Sequence, residues 1–482
     1  MSRNLMKNLA FILAWPLALC ALSLTSCGSG ADGDYATQLK QYFDKDVETA
    51  DGTGAMSAYF DLSDGMVLAY KGNADAAGFL NATVQRLTSG DSTTVYQLAD
   101  DKIAPLALHQ TELYNKIMDE KSYSQQMAPI EKALGQIVKD GKSSLLVTDF
   151  EEFTPDHKVQ HQSFATRYFV EWLKRGNDIT FFVFDFVGAR KLPYHLYFIV
   201  FDNKAHRLLG SIKDAVAGVK GYKEFHLSCD AYSVSTAYPS SVKGGNYHDA
   251  ATGEDLVTGV LEDGSADAYK NYGEGVRMEY YPLGVSWADA QKNAQEAVQE
   301  GFDPKFTHLF RHLYFDFSNQ DSYIIKKVAL RVTDVEDDFN RYTEYKRIMA
   351  DKEANADCFG PDGKLLPEYD YTHSTARPAE IKDMLVVDDN LFSSTLAKSA
   401  GRKVEIGINF APTFGGNIVG GAPGDLYRVD VVVADSQPNI GPRIDELFMW
   451  GANNNLRDAV RNTLQMLNPK GTVIYSYFVR AL

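Results

Sequence analysis

Between residues 57 and 201, short apolar runs alternate with stretches of helical periodicity. Ser57-Ala58-Tyr59-Phe60, Thr93 to Leu98, Ser144 to Thr148, Ile179 to Phe184 and His195 to Phe201 read as strands. Asn73 to Leu87, Met127 to Val138, Phe164 to Arg175 and Leu208 to Val216 read as helices. Strands this short and this apolar bury both faces, and a layer of helices on each side supplies that burial. The pattern predicts an α/β domain over residues 50–217 with a doubly wound, mostly parallel sheet. The runs ending at Phe60, Thr148 and Phe184 are expected as neighbouring parallel strands in its core.

After about residue 220 the texture changes. Strand-like runs recur at Glu224 to Ser228, Tyr314 to Phe317, Tyr323 to Val332, Val404 to Phe410, Leu426 to Val433 and Thr472 to Val479. Long stretches rich in Gly, Asp, Tyr and Pro separate them, and the clear helices are Ser286 to Gly301 and Asn455 to Leu467. The partial alternation of Tyr323 to Val332 suits an antiparallel strand with one wet face. Residues 218–310 are expected to form a mixed linker, and residues 311–482 a β-rich, antiparallel, sandwich-like C-terminal domain.

The N-terminus has a different character. Arg3 and Lys7 precede an apolar run from Leu9 to Leu24 that is short for a permanent membrane span. Leu24-Thr25-Ser26-Cys27 then resembles the lipobox of bacterial lipoproteins. The resemblance implies a signal peptide over residues 1–26, cleavage before Cys27, and lipid on its thiol as the contact with the membrane. Residues 27–49 would be a lipidated tether and lead-in, with the small, polar stretch Gly28 to Asp34 flexible. Gly28 stands where an Asp would act as a retention signal, which by analogy with Gram-negative sorting points to the outer membrane. Together with the tyrosine-rich, acidic composition, the chain resembles lipoproteins of Bacteroidetes.

Charge excludes one class of partner. A net charge of −16 without any basic stripe argues against nucleic acid, whose binding needs concentrated Lys and Arg. Cys20 leaves with the signal peptide, and the remaining pair, Cys229 and Cys358, fits no metal-ligand spacing. These two are either one disulfide or two buried thiols.

Two strand ends carry the candidate chemistry. Asp61-Leu62-Ser63-Asp64-Gly65 follows the first strand, and Asp149 follows Leu145-Leu146-Val147-Thr148. Ligands of open α/β sheets bind at such carboxyl ends. The spacing resembles the metal-ion-dependent adhesion site of von Willebrand factor A domains over roughly residues 50–217. That family has Asp-x-Ser-x-Ser, then a Thr in a middle loop, then an Asp commonly followed by Gly. The resemblance implies Asp61, Ser63, Ser124 (with Ser122 next in line) and Asp149 as ligands of Mg²⁺, and a partner's carboxylate in its open position. Oxygen-only ligands suit such a hard cation. Gly65 replaces the third residue of the motif, and Phe150 replaces the Gly. The bland alternative is that both aspartates cap the helices that follow them.

Other signals are weaker. His308 and His312 share a helical spacing but no zincin pattern, and Asp334 with Glu336, Asp337 and Asp338 reads as a wet acidic loop. Nucleophile elbows, phosphate-binding loops and dinucleotide fingerprints are missing from the sequence. The expected function is recognition of a protein or envelope component by an envelope-anchored lipoprotein, and not catalysis. Two alternatives stay open. One is a metal-dependent hydrolase, phosphohydrolase-like, using Asp61; Ser63 stands where haloacid dehalogenases need a second Asp. The other is a structural subunit of an envelope complex.

Overall fold

The computed structural model describes residues 31–49, 54–89, 92–153, 158, 160, 162–188, 191–203, 207–230, 235–237, 246–248, 255–257, 278–283, 287–299, 310–317, 321–373, 378–412, 426–451 and 453–481. The signal peptide, Cys27 and His308 lie outside them. No described helix is long and apolar enough to cross a membrane.

The first sheet has seven strands: β1 (Met56–Asp61), β2 (Thr93–Ala99), β3 (Lys102–Leu106), β4 (Ser144–Thr148), β5 (Asp178–Val187), β6 (Pro193–Asp202) and β7 (Lys223–Leu227). Their order is β3-β2-β1-β4-β6-β5-β7. Seven helices precede or punctuate them: α1 (Ala31–Thr49), α2 (Val67–Lys71), α3 (Ala74–Leu87), α4 (Gln110–Met118), α5 (Ile130–Asp140), α6 (Thr166–Lys174) and α7 (Arg207–Ala215).

The α/β class stands, but the sheet is mixed. Only β2-β1-β4 pair in parallel; every other pairing is antiparallel. The Phe60 and Thr148 runs are therefore parallel neighbours, whereas β6 separates the Phe184 run from them. The reason is the connection: residues 188–192 join β5 to β6, and a parallel return needs a crossover of a dozen or more residues. Five residues permit only a hairpin, so β6 returns beside β5 and slots against β4.

Strand alternation assigns the two faces. Tyr59, Leu146, Phe181, Val183, Tyr197 and Ile199 face α5 and α6, whose buried stripes include Leu134, Ile137, Phe169 and Trp172. Phe60, Leu145, Val147, Phe182 and Phe198 face α3, α4 and α7. Asn73 caps α3 by accepting the Ala76 N–H at 3.0 Å, and Gly141 ends α5 in the left-handed region, at φ +65°.

The remaining strands are β8 (Ser235–Ala237), β9 (Asn246–His248), β10 (Asp255–Val257), β11 (Met278–Leu283), β12 (Phe310–Asp316), β13 (Tyr323–Asp334), β14 (Ala379–Ile381), β15 (Leu385–Val387), β16 (Lys403–Phe410), β17 (Leu426–Pro438) and β18 (Val473–Ala481). With them come α8 (Trp287–Gln299), α9 (Glu336–Ala350), α10 (Asp389–Lys398), α11 (Pro442–Phe448) and α12 (Asn455–Met466). Two sheets, β11-β18-β17-β13-β14 and β15-β16-β12-β8, bury Ile406 and Ile408 against Val429, Val431 and Tyr475. All their pairings are antiparallel except β11 with β18, which gives the sandwich expected from the sequence.

Several segments pack away from the regions assigned to them by sequence: β8, β11 and α8, all within the expected linker, belong to the sandwich, α8 through buried Trp287. β7, within the expected linker, is the edge strand of the first sheet. Its outer edge is covered by side chains: the His226 N–H reaches Asp321 Oδ2 at 2.9 Å, the Ser228 N–H reaches Ser322 Oγ at 2.9 Å, and Arg443 binds both Asp321 and the Glu224 carbonyl. α11 and α12, far toward the C-terminus, bury Ile444, Leu447, Phe448, Leu456, Val460 and Leu464 in the first sheet's core. α1 places Leu39 and Tyr42 against Phe339, Tyr342, Leu426 and Phe478 of the sandwich.

That last contact changes two readings. Residues 31–34 open a helix and are not part of a flexible tether. Asp334 ends β13, and Glu336, Asp337 and Asp338 form the first turn of α9, where acidic groups offset the helix dipole. Asp338 accepts the hydroxyls of Tyr42 at 2.6 Å and Tyr371 at 2.9 Å, so the acidic run is a docking point for α1. His312 lies in β12, and Cys229 and Cys358 are free thiols.

Candidate functional site

β1, β2 and β4 run in one direction and end on one edge. β1 connects leftward through α3 to β2, whereas β4 leads rightward to β6 and β5. The crevice between the ends of β1 and β4 is thus the point where the strand order reverses, the usual ligand position in such sheets.

Asp61 closes β1 and is 1% exposed. Its Oδ1 accepts the Ser63 N–H at 2.9 Å and the Ser63 hydroxyl at 2.7 Å, an Asx turn with a side-chain supplement. Its Oδ2 accepts the Thr148 hydroxyl at 2.7 Å. Thr148 Oγ1 in turn accepts the Phe150 N–H at 2.9 Å, so one hydroxyl ties the end of β4 to the end of β1. Sequence reasoning missed Thr148; its signal is a hydroxyl closing an otherwise apolar strand directly before the Asp.

Asp149 is 2% exposed and its Oδ1 accepts the Glu151 N–H at 3.0 Å. Its Oδ2 stands 3.5 Å from the point where a Cβ on Gly65 would lie. A side chain at position 65 would therefore start in van der Waals contact with that oxygen. The Asp64 N–H donates to the Gln125 carbonyl at 2.8 Å, and Ser63 bridges Gln125, which brings the middle loop alongside the Asp motif. Ser124 lies on that loop, exposed, accepting the Gln125 amide at 3.3 Å; Ser122 lies in the preceding 3₁₀ turn. Asp61, Ser63 and Asp149 are brought to one crevice, and Ser124 to its rim.

Neither aspartate caps a helix. Ser63 precedes the 3₁₀ turn Asp64–Met66 without a side-chain cap bond. α5 is capped instead by Glu152, whose Oε2 accepts the Glu131 N–H at 2.9 Å from across the crevice loop. Burial pushes the Glu152 carboxyl up to about 7, with the Glu131 charge adding and the backbone donors opposing.

Burial also raises both crevice carboxyls. For Asp61 the hydrogen bonds from Ser63 and Thr148 oppose the shift. Asp149 stands well above the usual carboxylate range because burial, the Asp61 charge and Glu151 all act in the same direction. Two buried carboxyls so placed either retain a proton or accept a cation. The donor set fits a hard cation: all its atoms are oxygens, and the Ser63 hydroxyl spends its hydrogen on Asp61 and keeps its lone pairs. Among the described residues no group of three His, Cys, Asp or Glu side chains is arranged to hold a metal, so an ion here would depend on hydroxyls and water.

Phe150 adopts φ +62°, the left-handed conformation, at the position where the resemblance expects Gly. A non-Gly residue held there costs about 1–3 kcal/mol. Stacking of its ring on Phe164, with centroids 5.3 Å apart and planes 3° from parallel, offsets the strain. Trp450, between α11 and α12, donates its indole N–H to the Asp149 carbonyl at 3.2 Å and closes one side of the crevice. Nothing in the local sequence announces that contact. Comparison with protein-family models, with curated proteins and with solved structures finds no match to this chain.

Proposed function

We propose that the chain is an envelope-anchored binding lipoprotein, held at the outer membrane by lipid on Cys27. It recognises a protein or envelope component through a degenerate Mg²⁺ adhesion site in a domain like that of von Willebrand factor A. One observation carries the reading: buried Asp61, Ser63 and Asp149 converge at the strand-order reversal, locked by the Thr148 hydroxyl, with Gly65 beside the Asp149 carboxylate.

Asp61, Ser63 and Asp149 would hold the ion, with Ser124 at the rim. Bound there, Mg²⁺ supplies a charge to which a partner's oxygen adds. Asp61 orients Ser63 and fixes the distance between the strand ends, and Asp149 contributes the less compensated charge. The hydrolase alternative is disfavoured because three donors hold both Asp61 oxygens, which blunts a carboxylate as nucleophile.

Calorimetric titration and melting with and without millimolar Mg²⁺ test the site. A ligand at a hundredfold excess over its Kd stabilises by about 2.7 kcal/mol. Wild type is expected to show heat and a raised Tm, Asp61→Ala and Asp149→Asn to lose both, and Ser63→Ala to weaken them. Absence of both signals from wild type refutes the metal site.

A further inference from the structure

We propose that Tyr70 is a binding residue of the crevice, whose hydroxyl donates a hydrogen bond to the partner carboxylate that fills the open position of the ion. The proposal deepens the adhesion-site reading and rests on it. Tyr70 lies in α2, the short helix that follows the turn Asp61-Leu62-Ser63-Asp64-Gly65. α2 packs against α3, α4 and β5, which hold it in place over the end of the sheet. The Tyr70 ring sits in the apolar cluster with Leu62, Met66 and Tyr123, and only 3% of the residue is exposed.

A phenol placed so deep normally spends its hydroxyl within the protein. Its neighbours do so: Tyr123 donates to the Ile117 carbonyl at 2.6 Å, and Tyr197, on the other face of the sheet, to the Leu447 carbonyl at 3.0 Å. The Tyr70 hydroxyl has no hydrogen-bond partner among the described residues. It also differs from the Tyr59 hydroxyl, which is equally unpartnered but sealed in the core. Packing at position 70 asks only for the ring, so the hydroxyl is left for something outside the fold.

Its surroundings say what that is. Burial, then Tyr123, Asp61 and Asp149, hold the Tyr70 proton well above the usual phenol range, so both crevice carboxyls act on this hydroxyl and it stays a donor. Neither aspartate takes its hydrogen. Asp61 is filled by Ser63 and Thr148, and Asp149 accepts from the Glu151 N–H. Two carboxylates balance the two charges of Mg²⁺, so a partner carboxylate added to the ion leaves one negative charge in a buried place. A neutral donor on its second oxygen compensates that charge, and unlike a lysine it does not repel the ion.

The test compares Tyr70→Phe with Tyr123→Phe, by melting in chelator and by calorimetric titration of Mg²⁺, then of sodium acetate into the Mg²⁺-saturated chain. In chelator Tyr70→Phe should melt no lower than wild type, having no hydrogen bond to lose, whereas Tyr123→Phe should melt lower. With Mg²⁺ bound, Tyr70→Phe should hold acetate on the order of tenfold more weakly than wild type, the usual loss for a hydrogen bond to a charged oxygen, while its Mg²⁺ affinity changes little. Tyr123→Phe should hold acetate as wild type does. Equal acetate affinity in wild type and Tyr70→Phe overturns the role of Tyr70 and leaves the ion site standing, as does a Mg²⁺-loaded wild type that takes no acetate. A lower melting point of Tyr70→Phe in chelator shows a hydroxyl already spent within the fold and also overturns it. So does a parallel loss of Mg²⁺ and acetate, which would make Tyr70 a support of the ion itself. Wild type that takes up no Mg²⁺ refutes the adhesion site, and this proposal with it.

Discussion

Phe448→Ala is the substitution that most directly tests how the first domain is completed. Phe448 is 1% exposed, and its ring lies 5.0 Å from Phe181, 5.1 Å from Phe225 and 6.2 Å from Tyr197. Leu447, beside it, offers its carbonyl to the Tyr197 hydroxyl at 3.0 Å. Truncating a buried Phe costs about 3–5 kcal/mol, a large part of the 5–15 kcal/mol that holds a typical domain. At about 2–4 °C per kcal/mol the Tm should fall by roughly 6–20 °C. The assay is calorimetry combined with near-ultraviolet circular dichroism, which follows the aromatic cluster. A loss below about 1 kcal/mol would refute the packing. So would a variant whose sandwich melts early while the α/β sheet melts unchanged. By the same reasoning a fragment of residues 54–230 should not fold. It lacks six large apolar side chains that α11 and α12 bury, upwards of about 9 kcal/mol at 1.5–3 kcal/mol each.

Glu152 gives a pH signature. Its folded carboxyl titrates near 7 while an unfolded Glu titrates near 4.3, so the folded state holds the proton longer and stability is lost as pH rises between these values. The loss is on the order of 3 kcal/mol, and Glu152→Gln, which keeps an acceptor for Glu131, should be the more stable protein at pH 8 and nearly equal at pH 4. Melting curves across that range in chelator check it; parallel curves would contradict it. Cys27→Ala should leave the chain unlipidated and misplaced, and mass spectrometry that finds an intact Met1 end on wild type would remove the anchor.

Much of the first domain was legible because its strands are wholly apolar and its helices amphipathic. β4 and α3 agree with the pattern to within a residue at each end. The sheet order was not, although the sequence contained the reason: Ile179 to Phe184 and His195 to Phe201 are too close for a crossover helix. β3 escaped notice because Lys102–Leu106 carries a Pro and little hydrophobic signal, as an edge strand does. α9 was hidden by its acidic first turn, which resembles a solvated loop until Tyr42 of α1 is placed against it. The packing of α11 and α12 on the first sheet involves partners more than 200 residues apart, which no local periodicity encodes. At the site, Asp61, Ser63 and Asp149 were readable from spacing; Thr148, Glu152 and Trp450 contribute through tertiary contacts.

The crevice is asymmetric, and the asymmetry says where a cation would act. Asp61 receives three hydrogen bonds, which oppose the effect of burial on its charge and fix its orientation. Asp149 receives the Glu151 N–H on one oxygen, while the other lies on the Gly65 side and the Asp61 charge raises its pKa further. A charge buried with so little compensation is costly, and neutralising it is the larger gain. Binding energy should therefore come mainly from Asp149, and geometry mainly from Asp61 through Ser63 and Thr148. The backbone agrees with that division. Phe150 is held in the left-handed conformation directly after Asp149, where the turn aims the carboxylate, and the structure supports the strain with the Thr148 hydroxyl and the Phe164 ring. Strain kept at such a position, and supported on two sides, is expected where a carboxylate must be held in one orientation for a ligand.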